Sequence, residues 1–231
     1  MVTTGRAIRI PEARRTNVGL KVIMAITGVL FLLYVLAHMY GNLKVFAGQV
    51  AFDDYAHHLR VLGEPLLPYS GFLWIVRSIL LVSLVLHVWA AVALWKQAHQ
   101  ARSTRYVKYK PVQATWSSRT MRWGGIALLL FVIFHLLQFT TVTFEIGGSF
   151  DSPYNRVVAA FETWYIVAIY TLAMVALGMH LRHGIWSVVQ TLGWSTRRRE
   201  RGIKWTALVI AFVTVVGFLA PPFAIFFGLL N

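Results

Sequence analysis

The chain has 231 residues, 58% hydrophobic and 13% charged, with a formal net charge of +14 and no cysteine. So apolar a composition lies outside the soluble-domain range and reads as a polytopic membrane protein. Without cysteine this chain holds no thiolate-ligated iron–sulfur cluster, no disulfide and no haem attached through C-x-x-C-H. The positive charge reads as membrane topology and anionic-lipid contact, not as nucleic-acid binding.

Residues 1–21 are polar and basic, with Arg6, Arg9, Arg14, Arg15 and Lys21. Five stretches are apolar enough to span a bilayer, at about 22–43, 72–95, 123–144, 160–185 and 206–229. The predicted fold is therefore all-α, a single transmembrane unit over 1–231. Little chain remains for a soluble catalytic domain. The first apolar stretch is too long for a cleavable signal peptide and lacks a small-residue cleavage site. Residues 44–71 form a connection holding Asp53, Asp54 and Glu64 against Lys44 and Arg60. Residues 96–122 carry seven basic residues and no acidic one. Residues 145–162 are acidic on balance, and RRRERGIK at 197–204 is basic again. The positive-inside rule places the N-terminus, 96–122 and 197–204 in the cytoplasm and the C-terminus outside. Pro221–Pro222 are expected to break or kink the fifth span.

Each of the first four spans contains one deep histidine: His38, His87, His135 and His180. A lone intramembrane histidine is ordinarily a packing or hydrogen-bonding residue, but it is costly without a partner. Four in four consecutive spans call for another account. At 1.5 Å per residue, His87 and His180 lie roughly 27 Å below the outer ends of their spans. His38 and His135 lie roughly 9 and 15 Å below theirs. The four sort into two pairs at two depths, each drawn from two helices. Two bis-histidine haems stacked across a membrane require that arrangement, since haem iron takes an axial ligand on each side. A zinc or copper site would want its ligands at one depth. Gly41, Ser83, Ala91 and Gly184 stand three or four residues from a histidine and are candidates for admitting the flat macrocycle.

The remaining candidates are peripheral. Arg77 and Arg182 are placed to neutralise a haem propionate, against the alternative of snorkelling to the interface. His183, one turn from His180, suits a propionate or an inner quinone pocket. Quinone reduction needs a proton donor beside the ring. Toward the inner end the candidates are Ser187, Gln190 and His183. His57 and His58 read as residues of the outer connection, and His99 as a cytoplasmic loop residue.

Five spans, one histidine in each of the first four at separations of 49, 48 and 45 residues, and HxxHGIWSxxQTLG from His180 resemble a known family. The family is the single-subunit, five-helix, dihaem cytochrome b anchor of succinate:quinone oxidoreductase and fumarate reductase. The resemblance implies that His87 and His180 hold the inner haem b and His38 and His135 the outer one. It implies an iron–sulfur subunit and a flavoprotein with FAD as partners, the dicarboxylate chemistry being in the flavoprotein. It also implies quinone, expected to be menaquinone, as electron acceptor, with an outer site near the outer haem for which Glu64 is the candidate acid, and residence in a bacterial cytoplasmic membrane. A higher oligomer of the complex is compatible with the sequence. The other classes are a dihaem cytochrome b serving formate dehydrogenase or hydrogenase, and a haem-free anchor or transporter. A transporter should show repeat symmetry or helices broken at mid-membrane, and the sequence has neither beyond Pro221–Pro222.

Overall fold

Backbone amides in hydrocarbon must be satisfied within the segment that carries them, which leaves the helix as the spanning form for a chain of this pattern. The computed structural model describes residues 13–100, 116–148 and 151–230. It contains α1 (Ala13–Leu43), a 3₁₀ turn (Lys44–Ala47), α2 (Gln49–Val61), α3 (Gly71–Gln100), α4 (Trp116–Phe139), α5 (Pro153–Phe161), α6 (Trp164–Thr191) and α7 (Glu200–Phe226). Five of these, α1, α3, α4, α6 and α7, are long and apolar enough to cross a membrane. The all-helical, five-span reading therefore holds. Arg6, Arg9 and the loop arginines and lysines from Arg102 to Lys110 lie outside the described residues.

The span boundaries differ in informative ways. The third span is expected to continue to 144, and α4 ends at Phe139. Val142 takes a positive φ of 50°, and the Thr141 and Thr143 amides turn back to Leu136 and Leu137 carbonyls. Hydropathy does not register this stop, because the turn, Thr140–Thr143, carries no charge. α6 instead outruns its expected end at 185 and reaches Thr191. It closes with Gly193 at φ 74°, Gly193 N–H on Gln190 O and Trp194 N–H on Val189 O. That is the glycine-terminated helix end, in which the left-handed residue lets two amides return to the last turn. The QTLG of the sequence motif is thus a helix stop. α7 runs through Pro221 and Pro222, both buried, as far as Phe226, so the expected break is not present.

α6 is the most buried span and packs on α1, α4 and α7, while α1 packs on α3, α6 and α7. Two glycines bring α7 in closely: Gly178 of α6 faces Val215, and Gly217 of α7 faces Met39 of α1. The fifth span is therefore an integral wall of the bundle.

The connections expected over 44–71 and 145–162 both contain a helix. α2 and α5 pack on one another, and they cover the same end of the bundle, here called the capped end. Ser152 caps α5 by accepting from Asn155 N–H, with Pro153 at the first helical position. Asp53 of α2 then accepts from Ser152 Oγ at 2.6 Å and from Tyr154 N–H at 3.0 Å. Beneath this clasp Val45, Tyr154, Phe161, Ile166, Val167, Tyr170 and Ile225 form a dry core. The opposite end carries Arg197, Arg198 and Arg199 in the α6–α7 connection and is here called the basic end.

Candidate functional site: two facing histidine pairs

α3 and α6 are not among the packed helix neighbours, and neither are α1 and α4. Their histidines nevertheless meet across the gaps. The His87 and His180 ring centres lie 6.2 Å apart, and those of His38 and His135 lie 5.8 Å apart. His87 and His180 each follow the capped-end start of their helix by 16 residues, about 24 Å. His38 and His135 are five and four residues from the ends of α1 and α4, about 7.5 Å and 6 Å. Two pairs at two depths are thus present as the spacing predicted, with the capped-end pair more closely level than expected because α4 stops early.

One imidazole of each pair is oriented by a hydrogen bond. His87 Nδ1 lies 2.9 Å from Thr27 Oγ1, whose own proton goes to Ile23 O at 2.7 Å. The Thr27 oxygen is therefore the acceptor and His87 Nδ1–H the donor. His135 Nδ1 lies 2.9 Å from the Tyr170 hydroxyl, which donates to Gln138 Oε1 at 2.9 Å. Again the ring nitrogen is the donor. In both rings the lone pair is left on Nε2, since a neutral imidazole protonated on one nitrogen is an acceptor at the other. Thr27, Gln138 and Tyr170 are all buried. The partner rings are held differently. His180 Nδ1 is buried without a hydrogen-bond partner among the described residues. His38 stacks on Tyr34 at 5.4 Å and meets Phe218 of α7 at 5.9 Å.

This donor set fits an ion bound between two imidazoles. An ion bonded at about 2 Å to one nitrogen of each ring separates the ring centres by roughly 6 Å. No group of three or more His, Asp or Glu side chains converges among the described residues, whereas a zinc site needs three or four. At the basic-end pair the backbone is also bare. A Cβ on Gly28 would meet only Val188 and His87, at 3.8 and 3.9 Å, and one on Gly125 only His180 at 3.9 Å; Gly184 has nothing within 4 Å.

The other expected residues divide. Gly184 is open as anticipated, but Gly41 is occupied with Tyr55 of α2, 2.9 Å from where its Cβ would stand. Ala91 faces outward, and Ser83 is buried. Arg77 is exposed, its guanidinium 5.3 Å from the Trp74 ring centre and within electrostatic reach of Tyr34. Arg182 is exposed at the basic end and His183 is half-buried beside His180. His183, Ser187 and Gln190 share one face of α6, with Ser187 and Gln190 exposed. Glu64 is exposed in the turn between α2 and α3 at the capped end, so the two sets of quinone candidates lie at opposite ends. A groove of about 400 Å³ between α6 and α7 at the basic end is lined by Ile185, Val189, Arg198, Arg199 and Ile203. Ser187 points away from it, two residues or roughly 200° around the helix from Ile185. Thr27, Tyr170, Gln138, Gly28 and Gly125 were not anticipated. Their signal was present as polar or glycine residues inside apolar spans, which seldom occur there without a partner.

The fold and this geometry define a five-span membrane protein with two facing imidazole pairs in its core. Residues 96–220 match the family described as succinate dehydrogenase/fumarate reductase transmembrane subunit. That is more than half of the chain, and the chain belongs to this family. No curated protein and no solved structure matches it. Membership makes it a membrane subunit of an oxidoreductase complex.

Proposed function

We propose that this chain is the dihaem cytochrome b anchor of a succinate:quinone oxidoreductase, joining a partner iron–sulfur subunit and its flavoprotein to membrane quinone. The observation that carries the reading is the pair of 5.8 and 6.2 Å imidazole contacts between helices that are not close-packed neighbours. His87 and His180 would hold one haem b and His38 and His135 the other. When bound, the two groups would supply one-electron carriers at two depths. Thr27 and Tyr170 hold the Nδ1 side of His87 and His135, leaving Nε2 as the nitrogen that would bind iron. Gly28, Gly125 and Gly184 keep the backbone beside the basic-end pair free of side chains. The basic end, taken as cytoplasmic, is the docking face for the iron–sulfur subunit, with Arg197–Arg199 offered to acidic groups. Arg182 and His183 at this end, and Arg77 at the other, would be the partners of the haem propionates. Quinone would meet Glu64 at the capped end or the His183–Ser187–Gln190 face at the basic end. Of the two, the capped-end site would couple turnover to the membrane potential, since charge crossing the whole membrane is worth about 2.3 kcal/mol per 100 mV.

The test is to purify the complex through a tag on this chain and to measure pyridine haemochrome together with subunit composition. The reading expects two b haems per chain and co-purification of a flavoprotein and an iron–sulfur protein. A colourless preparation, or a molybdenum or nickel subunit in place of the flavoprotein, would overturn it.

A further inference from the structure

The two anchored histidines are not anchored alike. The Thr27 hydroxyl that receives His87 Nδ1–H is already committed to its own helix, bonding the Ile23 carbonyl one turn back. The His135 anchor is a chain of three side chains, His135 to Tyr170 to Gln138, running between α4 and α6. Gln138 stands three residues from His135 on the same face of α4, so the chain returns to the helix it left. It is sealed from solvent: Gln138 is 2% and Tyr170 7% exposed. The Tyr170 ring is gripped edge-on by Phe131 and Phe161, each at 4.9 Å. Gln138 Oε1 takes the Tyr170 proton, so the phenol oxygen can only accept from the ring.

We propose that Tyr170, steadied by Gln138, is the positioning residue that fixes which nitrogen His135 presents and that sets the redox potential of the capped-end site apart from that of the basic-end site. This rests on the dihaem reading above. An acceptor on Nδ1–H makes the opposite imidazole nitrogen a stronger donor. A stronger axial donor favours the oxidised iron and lowers the midpoint potential. In a dry environment successive hydrogen bonds polarise one another, so the Tyr170–Gln138 bond strengthens the one to His135. Losing the phenol oxygen therefore raises the potential of the capped-end site alone.

The experiment is a potentiometric titration of the haem absorbance in the intact complex, for the wild type, Tyr170→Phe, Gln138→Met and Thr27→Val. Tyr170→Phe keeps the ring between Phe131 and Phe161 and deletes one oxygen. The expected result is an upward shift of the component that His38 and His135 variants remove, with the other component unmoved. Gln138→Met, which keeps the phenol but removes its acceptor, shifts the same component the same way by less, and it serves where Tyr170→Phe fails to assemble. Thr27→Val moves only the other component. Two haems with unchanged potentials in both Tyr170→Phe and Gln138→Met, even with a lowered melting temperature, would overturn this inference and leave the dihaem reading standing. A wild-type complex without haem would remove both.

Discussion

The two histidine pairs are built by opposite means. At the basic end, space is made by omission: Gly28, Gly125 and Gly184 leave the backbone bare, and His180 Nδ1 is left without a partner among the described residues. At the capped end the pair sits among rings. Tyr34 and Phe218 contact His38, while Phe131, Phe139 and Tyr170 contact His135 at 5.5–6.0 Å. That end is also roofed by α2 and α5 through Asp53. One family fold thus carries one site defined by glycines and one defined by aromatic packing, and substitutions should tell them apart.

The largest difference is expected from Gly28→Leu. A single methyl at this position is in ordinary contact with His87 and Val188, but a leucine fills the gap between them. The variant should assemble with one haem per chain and lack the basic-end component on titration. Gly41→Ala acts at the other end, where the new methyl presses on Tyr55. It should lower the melting temperature by loosening α2 and leave two haems. Asp53→Ala removes the acceptor for Ser152 Oγ and Tyr154 N–H, a loss on the order of 1–3 kcal/mol for groups left unmade. Thermal unfolding should register that loss, and protease access to the α2–α5 roof should rise while the basic-end component stays unchanged. The smallest effect belongs to Glu200→Ala, which breaks the exposed pair with Lys204. Such pairs contribute about 0.3–0.5 kcal/mol along a helix, so stability should barely change.

Much of this was legible in the sequence. Continuous apolar runs announce the spans, and histidine is conspicuous inside them, so counting residues from the span ends was enough to pair four side chains. The anchors were not legible, because Thr27 and His87 are 60 residues apart and a back-bonded threonine is ordinary in any membrane helix. Tyr170 reads as one more aromatic until α6 is laid beside α4. Gly41 was misread for a connected reason: with 44–71 taken as a plain connection, Tyr55 had no place in the bundle. The early end of α4 was hidden because the turn that stops it, Thr140–Thr143, is β-branched and uncharged and holds no glycine or proline.

The central claim is the pairing itself. The most direct measurement is haem content combined with potentiometric titration across the four single variants His38→Ala, His87→Ala, His135→Ala and His180→Ala. The account predicts one haem per chain in each, with the His38 and His135 variants missing one and the same redox component and the His87 and His180 variants missing the other. A crossed pattern, in which His38 shares its missing component with His180 or His87, or haem content indifferent to all four, would contradict it.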